Sequence, residues 1–357
     1  MQTNASLYET KRTISDAGAS GGPRRYYAFP SLLANGEAEV LVAFKDGEAH
    51  MADASAPLEL LAIDPASGQV RSRRTVNRTP GRNNQNPEMM RMPDGTIMLY
   101  VDIQRSGRKE RTGLWTYASS DGGATFRDGG PFPQAGGYEY GYSFDDATDA
   151  EGCVTMLVMS FAELAGGVRA VHALRTADNG ATWTHVRNLN DEFGFDFNES
   201  TLLPYADGYL LVARGYDRST RAYRTDREFR VQAASNWSER CEAIDYVGRP
   251  KLFERDGRYY VLCRNIAAGN NHGDLQLYEI DPERLLPVAN ALLDTNDGAP
   301  GESYYAEGYF CEADDGGARW AVVTYAPPVA GETPDIVWLA FDWEKLQRRL
   351  QENRYRY

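Results

Sequence analysis

Several things are scarce in this chain of 357 residues, and each scarcity excludes something. Cysteine occurs four times, at Cys153, Cys241, Cys263 and Cys311, with no CxxC spacing. Neither a disulfide framework nor a zinc or iron site is expected, and the thiols read as buried and reduced. Histidine also occurs only four times. No run approaches the roughly 18 apolar residues of a membrane span. The opening stretch, Met1 to Gly22, lacks the apolar segment of a signal peptide. The expected location is cytoplasmic by default, or secreted or periplasmic if a leader has been removed. Positive charge is the deficient sign: 38 Lys and Arg stand against 51 Asp and Glu, a net charge of −13. Nucleic-acid affinity rests on cations that neutralise phosphates, so such a partner is not expected, and neither is an anionic membrane surface. The P-loop and GxGxxG glycine patterns are missing, and no cofactor or metal is expected.

Glycine (34) and tyrosine (22) are plentiful, which favours strands and tight turns. The clearest stretch is Phe197 to Arg214, FNESTLLPYADGYLLVAR. It predicts a strand, a turn at Ala206-Asp207-Gly208 and a returning strand. A hairpin brings its two ends together, so Glu199 and Arg214 are expected side by side. Six segments share this template of polar or Pro/Tyr head, apolar strand, turn and apolar strand. They can be aligned on Pro30, Pro87, Phe144, Glu199, Pro250 and Tyr309. A repeat of roughly 50 to 60 residues holding several short strands fits a four-stranded propeller blade.

A second marker recurs in the other half of the unit. Ser119-Ser120-Asp121-Gly122-Gly123-Ala124-Thr125-Phe126 and Thr176-Ala177-Asp178-Asn179-Gly180-Ala181-Thr182-Trp183 share the pattern S/T-x-D-x-G-x-T-aromatic. The Asp side chain can bond the turn's N–H groups and the Gly supplies positive φ. These turns resemble the Asp-boxes of the sialidase (neuraminidase) superfamily. The resemblance implies an all-β, six-bladed propeller. A single domain is expected over 23–357, after a flexible leader over 1–22, with a short surface helix in the tail from Trp343.

In such a propeller each blade's first strand lines the axis, and its start shares a face with the end of the second strand. That ring would gather Lys45, Asp102, Arg214, Arg264, Asn198, Arg249 and several tyrosines. The N-E-S…D-G…R pattern is similar to the family's segment carrying the glutamate that activates a nucleophilic tyrosine. By that resemblance Glu199 is the activating base, and Tyr305 or Tyr304 the nucleophile. Arg214, Arg249 and Arg264 would grip a substrate carboxylate. A phenol is a poor nucleophile until a carboxylate takes its proton, and guanidinium forks hold carboxylates bidentately. The aspartate acid/base of the family would correspond to Asp53 or Asp46. The family's first-blade arginine has no counterpart, since the matching residues are Tyr27-Ala28-Phe29-Pro30.

The expected function is a glycoside hydrolase that cleaves a terminal acidic sugar from a glycan. His50 and His272 follow the first and fifth hairpins near the same rim. With a tyrosine, either would also suit proton abstraction by a uronate-polysaccharide lyase. A propeller that binds glycans without catalysis is the third reading. Lys45, Asp102, Asn198 and His272 are candidate substrate contacts.

Overall fold

The computed structural model describes residues 7–241, 246–265, 272–300, 303–312 and 316–355, with the backbone alone at 272 and 296–300. Six four-stranded antiparallel sheets form the blades of a propeller. The fourth blade runs outward through Phe197–Tyr205, Gly208–Gly215, Thr220–Asp226 and Val231–Asn236. Its second strand is largely apolar and buried on both faces, because neighbouring blades pack against each side. Leu211 and Ala213 join the core shared with the third blade, and Leu210 and Val212 the core shared with the fifth.

Side chains stitch the inner strands to one another. Ser31 Oγ accepts from Met89 N at 3.0 Å, and Thr201 Oγ1 accepts from Leu252 N at 2.9 Å. Asp145 accepts from Leu202 N at 3.2 Å, and Glu307 from Leu32 N at 2.5 Å. Five inner strands break register near the expected anchors, between Ala28 and Ser31, Gln85 and Glu88, Ser143 and Asp145, Phe197 and Ser200, and Gly248 and Lys251. Such bulges re-aim side chains, here at the axis. In the sixth blade the corresponding backbone irregularity is at Tyr304, where φ is +61°, and not at Tyr309.

Two features of the periphery bear on the expectations. The Asp121 and Asp178 turns share one hydrogen-bond pattern. Each aspartate accepts the backbone N–H and the hydroxyl of a threonine, Thr125 or Thr182, at 2.9 and 2.6 Å. They follow the third strands, at the ends away from the bulges. The tail helix, Trp343–Glu352, begins at an Asp342 cap and buries Trp343, Leu346 and Leu350.

The expected leader needs correction. Thr10–Ser15 is the outer strand of the last blade, paired antiparallel with Asp335–Asp342. Residues from both chain ends therefore close the ring. The segment TKRTIS is too short and polar to advertise itself, but it covers a sheet edge whose N–H and C=O groups would otherwise lack partners. Residues 1–6 of the expected leader lie outside the described residues.

Candidate active site

The bulges bring one polar cluster to the mouth of the axis. Asn198 and Glu199 occupy the bulge of the fourth inner strand, and Arg214 ends the strand beside it. The hairpin thus places glutamate and arginine together as its sequence requires. Arg214 Nε lies 3.2 Å from Glu199 Oε2, and the backbone N–H of Arg249 donates to the same oxygen at 2.9 Å. The other oxygen, Oε1, accepts the hydroxyl of Tyr305. A cleft of about 160 Å3 opens above them, lined by Glu199, Tyr305, Asn198, Arg214 and His50 together with Phe29, Met51, Asn86, Arg111, Tyr142, Met159, Phe161 and Tyr216.

The electrostatics follow from burial and neighbours. Burial would raise the Glu199 pKa, but Arg214, Arg264, the Tyr305 hydroxyl and the Arg249 amide outweigh it and hold it at about 2. Tyr305 moves the opposite way. Burial and then Glu199 push its pKa well above the usual phenol value, against the pull of Arg264. In the resting site the shared proton therefore belongs to the phenol. Two guanidinium groups lie over that ring, Arg264 at 5.3 Å and Arg249 at 5.9 Å from its centroid. They are placed to stabilise negative charge developing on the phenol oxygen.

The expected arginines differ in availability. Arg214 and Arg264 both donate to the Tyr246 hydroxyl, Arg264 at 3.2 Å, and Arg264 also donates to Ser303 O at 3.1 Å. Arg249 is paired with the buried Glu88. Of the three, Arg214 is the one that lines the cleft. Arg24 and Arg25, the nearest arginines to the first-blade gap, are held elsewhere, by Asp335 at 2.6 Å and Asp46 at 2.6 Å.

Several candidates lie away from the cleft. Tyr304 is fully buried and donates to Asp294 at 3.0 Å, so Tyr305 is the tyrosine that reaches Glu199. The acid/base expectation at Asp53 or Asp46 is not met. Asp53 is buried, paired with Lys45 at 2.6 Å, and accepts the backbone N–H groups of Glu48 and Ala49. Asp46 is paired with Arg25. Lys45 is not a substrate contact either: wholly buried, it holds Ala49 O at 2.6 Å and His50 O at 2.9 Å. Burial lowers its pKa to about 8 against the opposing pull of Asp53. Lys45 and Asp53 thus form the buttress of the loop that presents His50. The His272 side chain lies outside the described residues.

His50 does line the cleft. The Tyr26 hydroxyl meets its Nδ1 at 3.0 Å, and the Phe29 and Tyr26 rings pack edge-on against it. Burial, followed by Lys45, Arg264 and Lys109, lowers its pKa to about 4, so it is a neutral imidazole near neutral pH. Asp102 stands behind the lining, fully buried, and tethers Arg111 at 3.2 Å and Asn86 at 3.3 Å. Counting along first and second strands missed Arg111, because Arg111 opens a third strand, Arg111–Ser119. It also missed Tyr246, which precedes its blade's inner strand. The signal available was their position at strand starts on the bulge-bearing face.

Comparisons with known proteins bear on the fold. No family model matches the chain, and neither does any curated protein. Solved structures do match. A protein of unknown function from Dyadobacter fermentans is similar over 93% of this chain and 98% of its own, at 16% identity and a TM-score of 0.73. The intramolecular trans-sialidase from Ruminococcus gnavus, in complex with oseltamivir carboxylate, is similar over 96% and 99%, at 12% identity and a TM-score of 0.66. The Trypanosoma rangeli sialidase in complex with sialic acid matches 97% of this chain and 60% of its own, at 11% identity and a TM-score of 0.62. The chain has the sialidase-like six-bladed propeller fold.

Proposed function

We propose that this protein is a glycoside hydrolase acting on a terminal acidic sugar, with Tyr305 as nucleophile and Glu199 as its base. The observation that carries the reading is the Tyr305–Glu199 hydrogen bond at the floor of an open cleft. In the first step the phenol oxygen bonds to the anomeric carbon while the glycosidic C–O bond breaks. The phenol proton passes to Glu199, and the leaving oxygen takes a proton from water. Glu199 at about pKa 2 is too weak a base to ionise the phenol beforehand. The transfer must therefore accompany attack, with Arg264 and Arg249 countering the developing charge. In the second step water displaces the phenol oxygen from the sugar. The phenolate recovers its proton from Glu199, neutral His50 takes the proton of the attacking water, and that proton then neutralises the hydroxide left by the first step.

Arg214 supplies a cationic group on the cleft wall, and the likeness to sialidases adds weight to a glycan as partner. The direct test is a panel of aryl glycosides of acidic sugars. Release of the aryl alcohol by the wild type, and its loss in Tyr305→Phe, is expected. An activated fluorinated glycoside should add its sugar mass to the wild type and not to Tyr305→Phe.

One observation favours a second reading. His50 is neutral, and Tyr26 occupies one of its ring nitrogens. That arrangement suits abstraction of a proton beside a uronate carboxylate, the first step of a polysaccharide lyase. A lyase would generate an unsaturated uronate with its own ultraviolet absorbance, whereas a hydrolase would not. Binding to glycans with neither product would leave the non-catalytic reading.

A further inference from the structure

The cleft is unusual for this chain in its charge. A protein with a net charge of −13 lines a small opening with two arginines, Arg111 and Arg214, against the single carboxylate of Glu199. Beneath it lie two more arginines, Arg249 and Arg264, with the carboxylates of Glu88 and Asp102. Three of these four guanidinium groups are already engaged at their terminal nitrogens, Arg214 and Arg264 by Tyr246, and Arg249 by Glu88. Arg111 differs. Its Nε is fixed 3.2 Å from Asp102 Oδ2, and its guanidinium centre lies 4.0 Å from the Phe161 ring centroid and 5.9 Å from that of Tyr142. Neither terminal nitrogen has a carboxylate or carbonyl acceptor among the described residues.

The anchoring is rigid. Asp102 is fully buried and also accepts from Asn86 at 3.3 Å and Gln104 at 3.4 Å. A carboxylate held at one edge of the guanidinium and an aromatic ring against its face leave the terminal nitrogens for a ligand. Such a fork matches the two oxygens of a carboxylate. Field lines from the arginines below are focused in the same narrow opening.

Building on the proposed glycan site, we propose that Arg111 is the anchor for a carboxylate on the bound sugar, gripped from the second blade where no first-blade arginine lines the cleft. The ligand class is a carboxylated monosaccharide unit, and Asp102 is a positioning residue that holds the fork in place.

The test separates this anchor from a mere inter-blade stack. In a Tyr305→Phe background, which prevents turnover, calorimetry compares N-acetylneuraminic, glucuronic and galacturonic acids with their methyl esters. At least one acid should bind about tenfold or more tightly than its ester. Arg111→Gln should abolish that preference while leaving the ester's affinity nearly unchanged. Arg111→Lys keeps the charge but loses the fork, and should retain part of the preference. A stacking role alone would weaken acid and ester together, and that result overturns the proposal. So does a preference that survives Arg111→Gln, or the absence of any acid that outbinds its ester. Should Arg111→Gln not fold, Arg111→Lys carries the same comparison. Aryl-glycoside turnover is read separately. Arg111-dependent selectivity without turnover would sink the hydrolase reading and keep this one, and turnover with no such selectivity would do the reverse.

Discussion

Two charged clusters share the propeller axis, and they behave differently. The upper one, at the mouth, holds Glu199, Tyr305, Arg214 and Arg111 around a cleft. The lower one is centred on Lys251, whose ammonium lies 2.5 Å from Glu88, 3.2 Å from Asp145 and 3.0 Å from Glu307. Burial works against that ammonium, but Asp145, Glu307 and Glu88 outweigh it and push its pKa up. With Arg249 on Glu88 as well, the lower cluster joins four blades in a closed knot. Charge on an axis is thus not in itself a sign of chemistry. What separates the clusters is an opening, and the terminal nitrogens of Arg111 on its wall, which have no carboxylate or carbonyl acceptor among the described residues.

The largest expected effect would establish the upper cluster as the working one. Tyr305→Phe and Glu199→Gln should each reduce turnover by roughly 10^3- to 10^4-fold. Far-UV circular dichroism should stay unchanged. Turnover within tenfold of the wild type in both variants would remove the distinction.

Next comes the lower knot. Lys251→Met leaves three carboxylates without their shared cation and should cost about 3–5 kcal/mol of stability, as removal of one member of a buried ion cluster does. Urea denaturation measures it, and Glu199→Gln should cost less. A Lys251→Met variant as stable as the wild type would make the knot incidental.

A smaller effect concerns pH. Arg214 is the largest of the influences that hold Glu199 down at about 2. A carboxylate with a depressed pKa keeps its contribution above the ordinary range and loses it as pH falls through the folded value. Arg214→Met should therefore raise the Glu199 pKa and move the acidic limb of kcat/KM upward. An unmoved limb would mean that Glu199 is not the titrating base.

The smallest effect is on stability in mild acid. His50 titrates at about 4 in the fold and near 6.5 when free. Between those values the unfolded chain binds the extra proton, so stability falls as pH drops from 6.5 towards 4. His50→Asn should flatten that part of the profile, read as Tm against pH, and an unchanged slope would count against the burial of His50.

Much of this was legible locally. The Glu199–Arg214 pairing follows from one hairpin, and the two aspartate turns from eight residues each. The choice between Tyr304 and Tyr305 was not legible, because it depends on a positive φ at Tyr304 that turns one ring into the core and the next towards Glu199. Asp53 occupied a plausible place in the order of residues, yet Lys45 claims it. Arg111 was invisible to a count along first and second strands, since its role depends on Asp102 from the neighbouring strand and Phe161 from just beyond a strand of the next blade.

The chain by itself determined the repeat, the alternation of buried strand middles with polar heads, and the pair at the fourth hairpin, all of which are short-range patterns. The tertiary structure decided which charged groups neutralise one another and which remain open. That choice depends on contacts between residues far apart in sequence, and in a buried setting a partner a few ångströms away determines whether a charge is structural or free to act.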